Sequence, residues 1–461
     1  MKKIILFPLM ICLVAATGYS AEPLKKEVSD LLSCDVLDLR TAQRIALAAN
    51  PGIQAAEARL LQARAAVAEA RSAWWPRLDA TGKLGRTHLS DTEFSIMRQS
   101  GATDQSYDVS SVGLQATWVL FDGFFRTFKL KQMEFSEKSS LAARENSQRL
   151  LLSAVANAFF NAQLVLTRIG IAEADKKFYE QQLQDAANRL EVGTGSRGAV
   201  LNFKVQLNSA MTNLLSDIRE YEAATYGLAA LLGLPDGVFP ENVRLAELDR
   251  GFSLGEDEEA DIPALIDEAL DTRPDLQALD MQALQAEAAI GQAKALYWPR
   301  IFLSGSLNGS SQGDYSISRD DIGNLISLNF EWNLYSAGAN KAKIAEAKQK
   351  RREVTLSMTD LRNQVASEIR REVALVAAAR EQVDLQRKSV SLVEENRQLA
   401  QDEYDAGAAS LVRLNEAQRD LTSTYGRLAQ ALVNYQLARQ RLSSATGRNL
   451  QLVNELVNEK D

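Results

Sequence analysis

Residues 191–201 read EVGTGSRGAVL, and Gly193, Gly195 and Gly198 within them satisfy the spacing G-x-G-x-x-G. In a dinucleotide-binding protein that spacing closes a tight turn after a strand and opens a helix, whose first N–H groups hold the pyrophosphate. The chemistry therefore depends on what precedes Gly193. From about Phe124 to Leu190 the chain has no proline, and Leu151, Val155, Ala158, Ala162, Val165, Ile169 and Ala172 recur in steps of four and three along one helix face. Such a run of ~67 residues would extend ~100 Å at ~1.5 Å per residue, far beyond an ordinary globular helix. With a helix before the glycines, the pattern predicts a helix-to-helix turn, in which glycine ends one helix and Ser196 caps the next. No nucleotide or other cofactor site is predicted.

The remaining reactive side chains are sparse. His88 is the only histidine and falls in a polar stretch that reads as an external loop, so a solvated side chain is predicted. No Cys, His, Asp and Glu spacing suits a metal, and no nucleophile with its base can be assembled, so no catalytic residue is assigned. There are 52 basic and 60 acidic residues, a net charge of −8, which makes nucleic acid a poor partner.

The first 21 residues have the form of a signal peptide: Lys2 and Lys3, an apolar run from Ile4 to Ala16, then small residues at Gly18, Ser20 and Ala21. The apolar run is short of the ~20 residues that span a bilayer. Cys12 lies inside it, so the exported chain keeps Cys34 and forms no internal disulfide. Leu31-Leu32-Ser33-Cys34 resembles a lipidation box but follows a charged stretch, and Cys34 reads as an ordinary thiol.

An internal duplication organises the rest. Residues 50–85 align without a gap to residues 273–308 at an offset of 223, with 14 of 36 positions identical; Trp75-Pro76-Arg77 meets Trp298-Pro299-Arg300. Further on, at an offset of 214, Trp118 meets Trp332, Gly193 meets Gly407, Tyr221 meets Tyr435 and Gly233 meets Gly447. The predicted parts are a signal peptide (1–21), a first repeat (22–233), a connector (234–262), a second repeat (263–447) and a tail (448–461). Each repeat opens with a helix of ~35 residues, Thr41 to Ala73 or Ala264 to Leu296, stopped by proline. Two stretches of period-two alternation follow, running Leu78 to Leu84 and Val112 to Leu120 in the first copy, Ile301 to Leu307 and Ile326 to Leu334 in the second. Polar loops are expected between them, at Thr87 to Tyr107 and Gly309 to Asp321. A long helix, a glycine turn and a helix of ~37 residues complete each copy.

Four amphipathic strands leave two open edges, which neither water nor lipid accepts. Strands of this length suit a membrane barrel. Trp118, Phe121, Trp332 and Tyr335, with Trp75 and Trp298 ahead of the first strands, are the aromatics expected at the membrane boundary. Several copies must share the barrel; three would supply twelve strands. The competing arrangements are a soluble sheet packed on helices and a periplasmic coiled-coil scaffold without a barrel.

Asn50-Pro51, the repeated Trp-Pro-Arg, WVLFDG (118–123), WNLYSAG (332–338) and the turns VGTGSRGAVL and AGAASLVRLNEAQ together resemble the TolC-type outer-membrane efflux proteins, over nearly the whole exported chain. The resemblance implies an α+β membrane protein: a homotrimer whose twelve-stranded barrel in outer-membrane lipid continues into a long α-helical periplasmic tunnel. It implies an exit duct for drugs or other small molecules in a tripartite efflux pump, or for type I protein secretion. Its partners would be a periplasmic adaptor (membrane fusion) protein and an inner-membrane transporter. Gly193, Gly195, Ser196 and Arg197 of one turn and Gly407, Ser410 and Leu411 of the other would meet the adaptor. In the family, acidic residues after the second turn narrow the aperture; Glu416 matches one such position, whereas Arg413 occupies the other. An aperture held by Arg413 and Glu416 should change single-channel conductance and ion selectivity when both become alanine, and recordings identical to wild type would remove them from that role.

Overall fold

The computed structural model describes residues 36–458, apart from 102, 241–242, 255–260, 313–314 and 316. The segment expected to be a signal peptide (1–21) and Cys34 lie outside the described residues, as does the end of the tail.

Each copy opens with a broken helix instead of the single one expected. Helices α1 (Leu39–Ala49) and α2 (Pro51–Ser72) are separated at Asn50, whose backbone is extended at φ −64°, ψ 122°. Asn50 recurs as Arg273, at φ −69°, ψ 123°, between helices that correspond to α1 and α2. The cause is the proline one residue on: its ring disfavours a helical conformation in the residue before it, and its missing N–H suits the first position of a new helix.

The strands are β2 (Arg77–His88), β3 (Ser106–Phe121), β5 (Arg300–Gln312) and β6 (Ile322–Glu331), with β1 (Val36–Leu37) and β4 (Arg244–Leu245) as a separate short pair. The loop expected over Thr87 to Tyr107 contains a helix, α3 (Asp91–Gln99). It is started by a capping box in which Ser90 accepts from Glu93 N–H and the Glu93 carboxylate accepts from Ser90 N–H. The two long helices, α4 (Phe125–Glu191) and α8 (Ala339–Asp405), have 67 residues each. They are followed by α5 (Arg197–Leu232) and α9 (Leu411–Ala445), while α6 (Ile262–Thr272) and α7 (Pro274–Ala295) are the second copy's broken pair and α10 (Gln451–Asn458) closes the described chain.

The described residues fall into two compact units, and both divisions of the long helices lie within them rather than at their ends. Among the described residues, the first unit draws on 36–51, 151–254 and 377–440. Of the apolar face anticipated on α4, Leu151, Val155, Ala162, Val165 and Ala172 are buried in it while Ala158 and Ile169 are half-buried, and Leu152, Ala156 and Phe159, outside that face, are buried as well. The apolar stretch of α4 has the length and composition to cross a membrane, but over half of it is buried in protein, as in a core helix. A second cluster joins Phe178, Tyr179 and Ala186 to Phe203, Ala210 and Leu414. The connector, to which the sequence assigned no role, is strapped to this unit. Its strand β4 pairs in parallel with β1, Gln163 Nε2 donates to Ala246 O, and Arg387 Nη2 donates to Phe252 O.

Among the described residues, the second unit draws on 52–150, 261–376 and 441–458. It contains the four-stranded antiparallel sheet, in the order β2-β3-β5-β6. The register pairs Arg77 with Thr117, Gly82 with Val112, Trp118 with Leu303 and Arg300 with Glu331. Elsewhere in this unit an ionic cluster is buried. Arg273 donates to Asp275, to Glu368 at 2.7 Å and to Ala445 O at 3.0 Å, while Arg149 donates to Ser444 O at 2.8 Å and lies 3.4 Å from Asp275. These two arginines therefore satisfy carbonyls at the C-terminus of α9 that have no partner within the helix. Burial alone would push the Asp275 carboxyl up, but hydrogen bonds and charge from Arg273, then the charge of Arg149, hold it below the ordinary aspartate range.

Arg273→Ala would strand buried carboxylates and is expected to cost about 3–5 kcal/mol, seen as a lower thermal midpoint of the assembled protein. Because the folded Asp275 pKa is depressed, its stabilisation is complete above the unfolded aspartate value and is lost as pH falls through the folded one. The stability difference between wild type and Asp275→Asn should therefore shrink on acidification, and a difference that stayed constant would contradict this coupling.

Candidate functional site

Two regions are built for contact with surroundings other than water: one face of the sheet, and the pair of turns that follow the long helices. On the sheet, Leu78, Leu84, Val112, Leu114, Trp118, Leu307, Ile326, Leu328 and Phe330 share one face and are all exposed. The other face carries Arg77, Asp79, Thr81, Thr117, Gln115, Ser304, Ser306, Ser327 and Asn329. A dense polar lattice forms there, with Ser304 and Ser327 hydroxyls 2.8 Å apart and Asn329 Nδ2 donating to Ser304 Oγ at 2.8 Å. A surface apolar on one side and hydrogen-bonded on the other is stable between lipid and a wet lumen.

The aromatics assigned to the membrane boundary fall where this sheet meets the helices. Trp118 Nε1 donates to Trp74 O at 3.0 Å, and Trp332 Nε1 donates to Tyr297 O at 3.1 Å. Donor and acceptor occupy equivalent positions of the two copies. Trp75 and Trp298 remain exposed, at 77% and 59%. The alternation anticipated through Leu334 ends earlier, because β6 stops at Glu331 and Trp332 and Tyr335 stand beyond it. The chain there turns toward α8 through Ala337 (φ 50°) and Gly338 (φ 88°), which strand geometry cannot accommodate. Phe121 ends β3 at a bulge and packs edge-on against Phe124, with ring centroids 5.7 Å apart. Nearby, Arg126 joins Asp122 at 2.9 Å, donates to Ala73 O and Leu120 O, and stacks over Trp74. His88 is the last residue of β2, not a loop residue, and its Nδ1 lies 2.7 Å from Ser106 Oγ.

The glycine turns use the same atoms twice. Arg189 O accepts from Thr194 N–H and Gly195 N–H, and Glu403 O accepts from Ala408 N–H and Ala409 N–H. Gly193 (φ 80°) and Gly407 (φ 74°) supply the left-handed residue that ends each long helix. Ser196 Oγ accepts from Ala199 N–H, and Ser410 Oγ accepts from Arg413 N–H, so each serine caps the next helix; Arg197 and Leu411 are the first residues of α5 and α9. Because α4 and not a strand precedes Gly193, no pyrophosphate cradle is formed.

The structure brings the two turns together through Arg189 Nη2, 2.7 Å from Asp405 Oδ1, with Gln182 and Gln401 amides bonded alongside. Arg413 Nη2 donates to Asn396 Oδ1 at 2.7 Å instead of pairing with Glu416, although both side chains are exposed. Tyr425 donates its hydroxyl to Glu394, and burial followed by that carboxylate pushes its pKa up to about 12. Around the turns Val192, Leu201, Val205 and Val412 are exposed. The sequence reading passed over these four, because an apolar residue at helical spacing is indistinguishable from core until its neighbours are placed. Among the described residues no group of three or more His, Cys, Asp or Glu could hold a metal ion.

A lipid-facing sheet joined to paired tunnel-length helices defines an outer-membrane channel with a periplasmic helical tunnel. The chain belongs to the outer membrane efflux protein family, which it matches over residues 43–234 and 265–448, and whose members are channels, not enzymes. It is 26% identical over 402 residues to the cation efflux system protein CusC of Escherichia coli K12, covering 86% of this chain and 82% of that one. It is also 26% identical over 419 residues to the alkaline protease secretion protein AprF of Pseudomonas aeruginosa, covering 89% and 84%. Its fold is similar to that of the Campylobacter jejuni CmeC outer membrane channel, with a TM-score of 0.76 at 17% identity, over 92% of this chain and 87% of that one.

A Cβ at Gly195 would lie 2.7 Å from Leu190 N, against backbone that cannot yield, whereas one at Gly198 meets only Ser196 Oγ at 3.8 Å. Gly195→Ala should accordingly loosen the turn by more than about 1 kcal/mol and speed limited proteolysis there, with Gly198→Ala cleaved at the wild-type rate.

Proposed function

We propose that this protein acts as a homotrimer forming the exit duct of a tripartite pump for drugs or other small molecules. Residues Gly193, Gly195, Ser196 and Arg197 with Gly407, Ser410 and Leu411 shape the surface that docks a periplasmic adaptor, itself joined to an inner-membrane transporter. The observation that carries this reading is the duplicated, serine-capped turn ringed by Val192, Leu201, Val205 and Val412. Apolar side chains left exposed on otherwise capped, tightly bonded turns are a docking surface in search of a partner. Arg413 and Glu416 lie just inside this rim on α9 and line the narrow end of the duct. Trp75, Trp118, Phe121, Trp298, Trp332 and Tyr335 anchor the barrel at the lipid boundary. The family matches over 43–234 and 265–448 support the division into repeats 22–233 and 263–447, joined by 234–262.

Small-molecule efflux is favoured by the similarity to CusC, named for a cation efflux system, and protein secretion by the similarity to AprF, named for protease secretion. A deletion strain separates them: an efflux duct leaves it several-fold more sensitive to exported toxic compounds with its secreted proteins unchanged. Loss of a secreted protein at unchanged sensitivity would establish the second role instead. Charge substitution of Val192 and Val412 should abolish site-specific cross-linking to the adaptor without changing the amount of assembled trimer.

A further inference from the structure

The net negative charge conceals a local concentration of the opposite sign. Lys341, Lys343, Lys348, Lys350, Arg351 and Arg352 crowd the first turns of α8, with only Glu346 and Glu353 among them. Three of these, Lys348, Arg351 and Arg352, join Lys294 of α7 in lining a cavity of about 490 Å³, together with Glu287, Ile290 and Thr355. Glu287 is the single carboxylate and is engaged by Arg351 at 3.0 Å. Four cations thus face one anion.

The duplication supplies an internal control. The position of Lys294 is held in the first copy by Arg71, and that of Lys348 by Glu134; those two form an ion pair at 3.3 Å. Likewise Glu287 and Arg351 correspond to Arg64 and Glu137, an ion pair of reversed polarity at 3.2 Å. Ile290 replaces Val67, and both are buried. The same place in the fold therefore holds two ion pairs beside Lys138 in the first copy, whereas in the second Lys348 replaces the glutamate opposite Lys294, leaving one ion pair beside Lys294, Lys348 and Arg352. Cations held around a common cavity repel unless an anion occupies it.

We propose that Lys294, Lys348, Arg351 and Arg352 bind the phosphate of an anionic phospholipid headgroup in the periplasmic leaflet of the outer membrane. The placement favours lipid over a soluble anion. Lys294 lies six residues before the first residue of β5, and the exposed aromatics Tyr297 and Trp298 stand between them. On the other side Trp332, Leu334 and Tyr335, all exposed, lead from β6 into α8. A basic cavity directly beyond an aromatic belt is where headgroup phosphates lie, and clustered Lys and Arg there attract anionic lipid. Ile290 provides an apolar floor for the glycerol portion.

The test uses the full-length assembled protein in detergent, with retained lipid counted by native mass spectrometry. Phosphatidylglycerol should be retained over phosphatidylethanolamine. Replacing Lys294, Lys348 and Arg352 together by glutamine should lower that retention by roughly tenfold or more. Glu287→Gln, which frees Arg351, should raise it, and Arg71→Gln in the first copy should leave it unchanged. Inorganic phosphate at matched concentration should not displace the lipid. Equal retention by wild type and the triple variant would overturn the proposal, and displacement by inorganic phosphate would assign the cavity to soluble anions instead. Should the triple variant fail to assemble, Glu287→Gln decides alone, and no gain in retention would overturn the proposal.

Discussion

The unpaired outer edges of β2 and β6 are the constraint on which the rest of this protein depends. The order β2-β3-β5-β6 satisfies every interior strand and leaves two rows of backbone N–H and C=O groups without partners in the sheet. In hydrocarbon each such group costs several kcal/mol, so an open sheet cannot remain there. Copies of the chain must close it, and the trimeric channels of the family show how. Closure by identical chains also places the polar lattice of Ser304, Ser327 and Asn329 on a common inner surface and the leucines and aromatics on a common outer one. Conduction is then a property of the assembly, and no residue needs to perform a reaction.

Within one chain the duplication is preserved at the level of individual hydrogen bonds. Arg189 O and Glu403 O receive the same pair of turn N–H groups, Ser196 and Ser410 cap the same helix start, and Trp118 and Trp332 bond the same carbonyl position. Even where residues differ the task is kept: Asn50 donates to Leu231 O as Arg273 donates to Ala445 O. The second copy does more with it. An arginine in place of an amide brings charge into the interior, and Asp275, Glu368 and Arg149 assemble around it. The pairs Arg71–Glu134 and Lys294–Lys348 differ in the opposite sense, with the balanced version in the first copy. The two copies share their geometry and diverge in electrostatics.

Periodicity carried the long helices and most of the strands, since α4 and α8 span the full runs anticipated for them. It failed at short range. The prolines at 51 and 274 fall inside stretches whose periodicity suggests one helix, yet each one ends a helix and begins another, because its ring acts on the residue before it. The capping box at Ser90 and Glu93 was written in the sequence but sat inside a stretch whose composition suggested a loop. The strand β6 was drawn too long because Trp332 and Leu334 continue an alternation that the backbone abandons at Glu331. Among the site residues, the capping serines and turn glycines could be named in advance, whereas Val192, Leu201, Val205 and Val412 could not.

By itself, the sequence determined the class of protein: a duplicated order of strand, long helix and capped turn, amphipathic enough for a membrane barrel. Those properties follow from the chain's own periodicity, which is local and does not require knowing what lies alongside. Tertiary structure decided which partners each side chain finds. Arg413 turned to Asn396 and not to Glu416, Arg189 reached Asp405 across 216 residues, and Lys294 came to share a cavity with Lys348. Charge and hydrogen-bond energies depend on distance and burial, and for groups far apart in the chain both are set only when the helices pack.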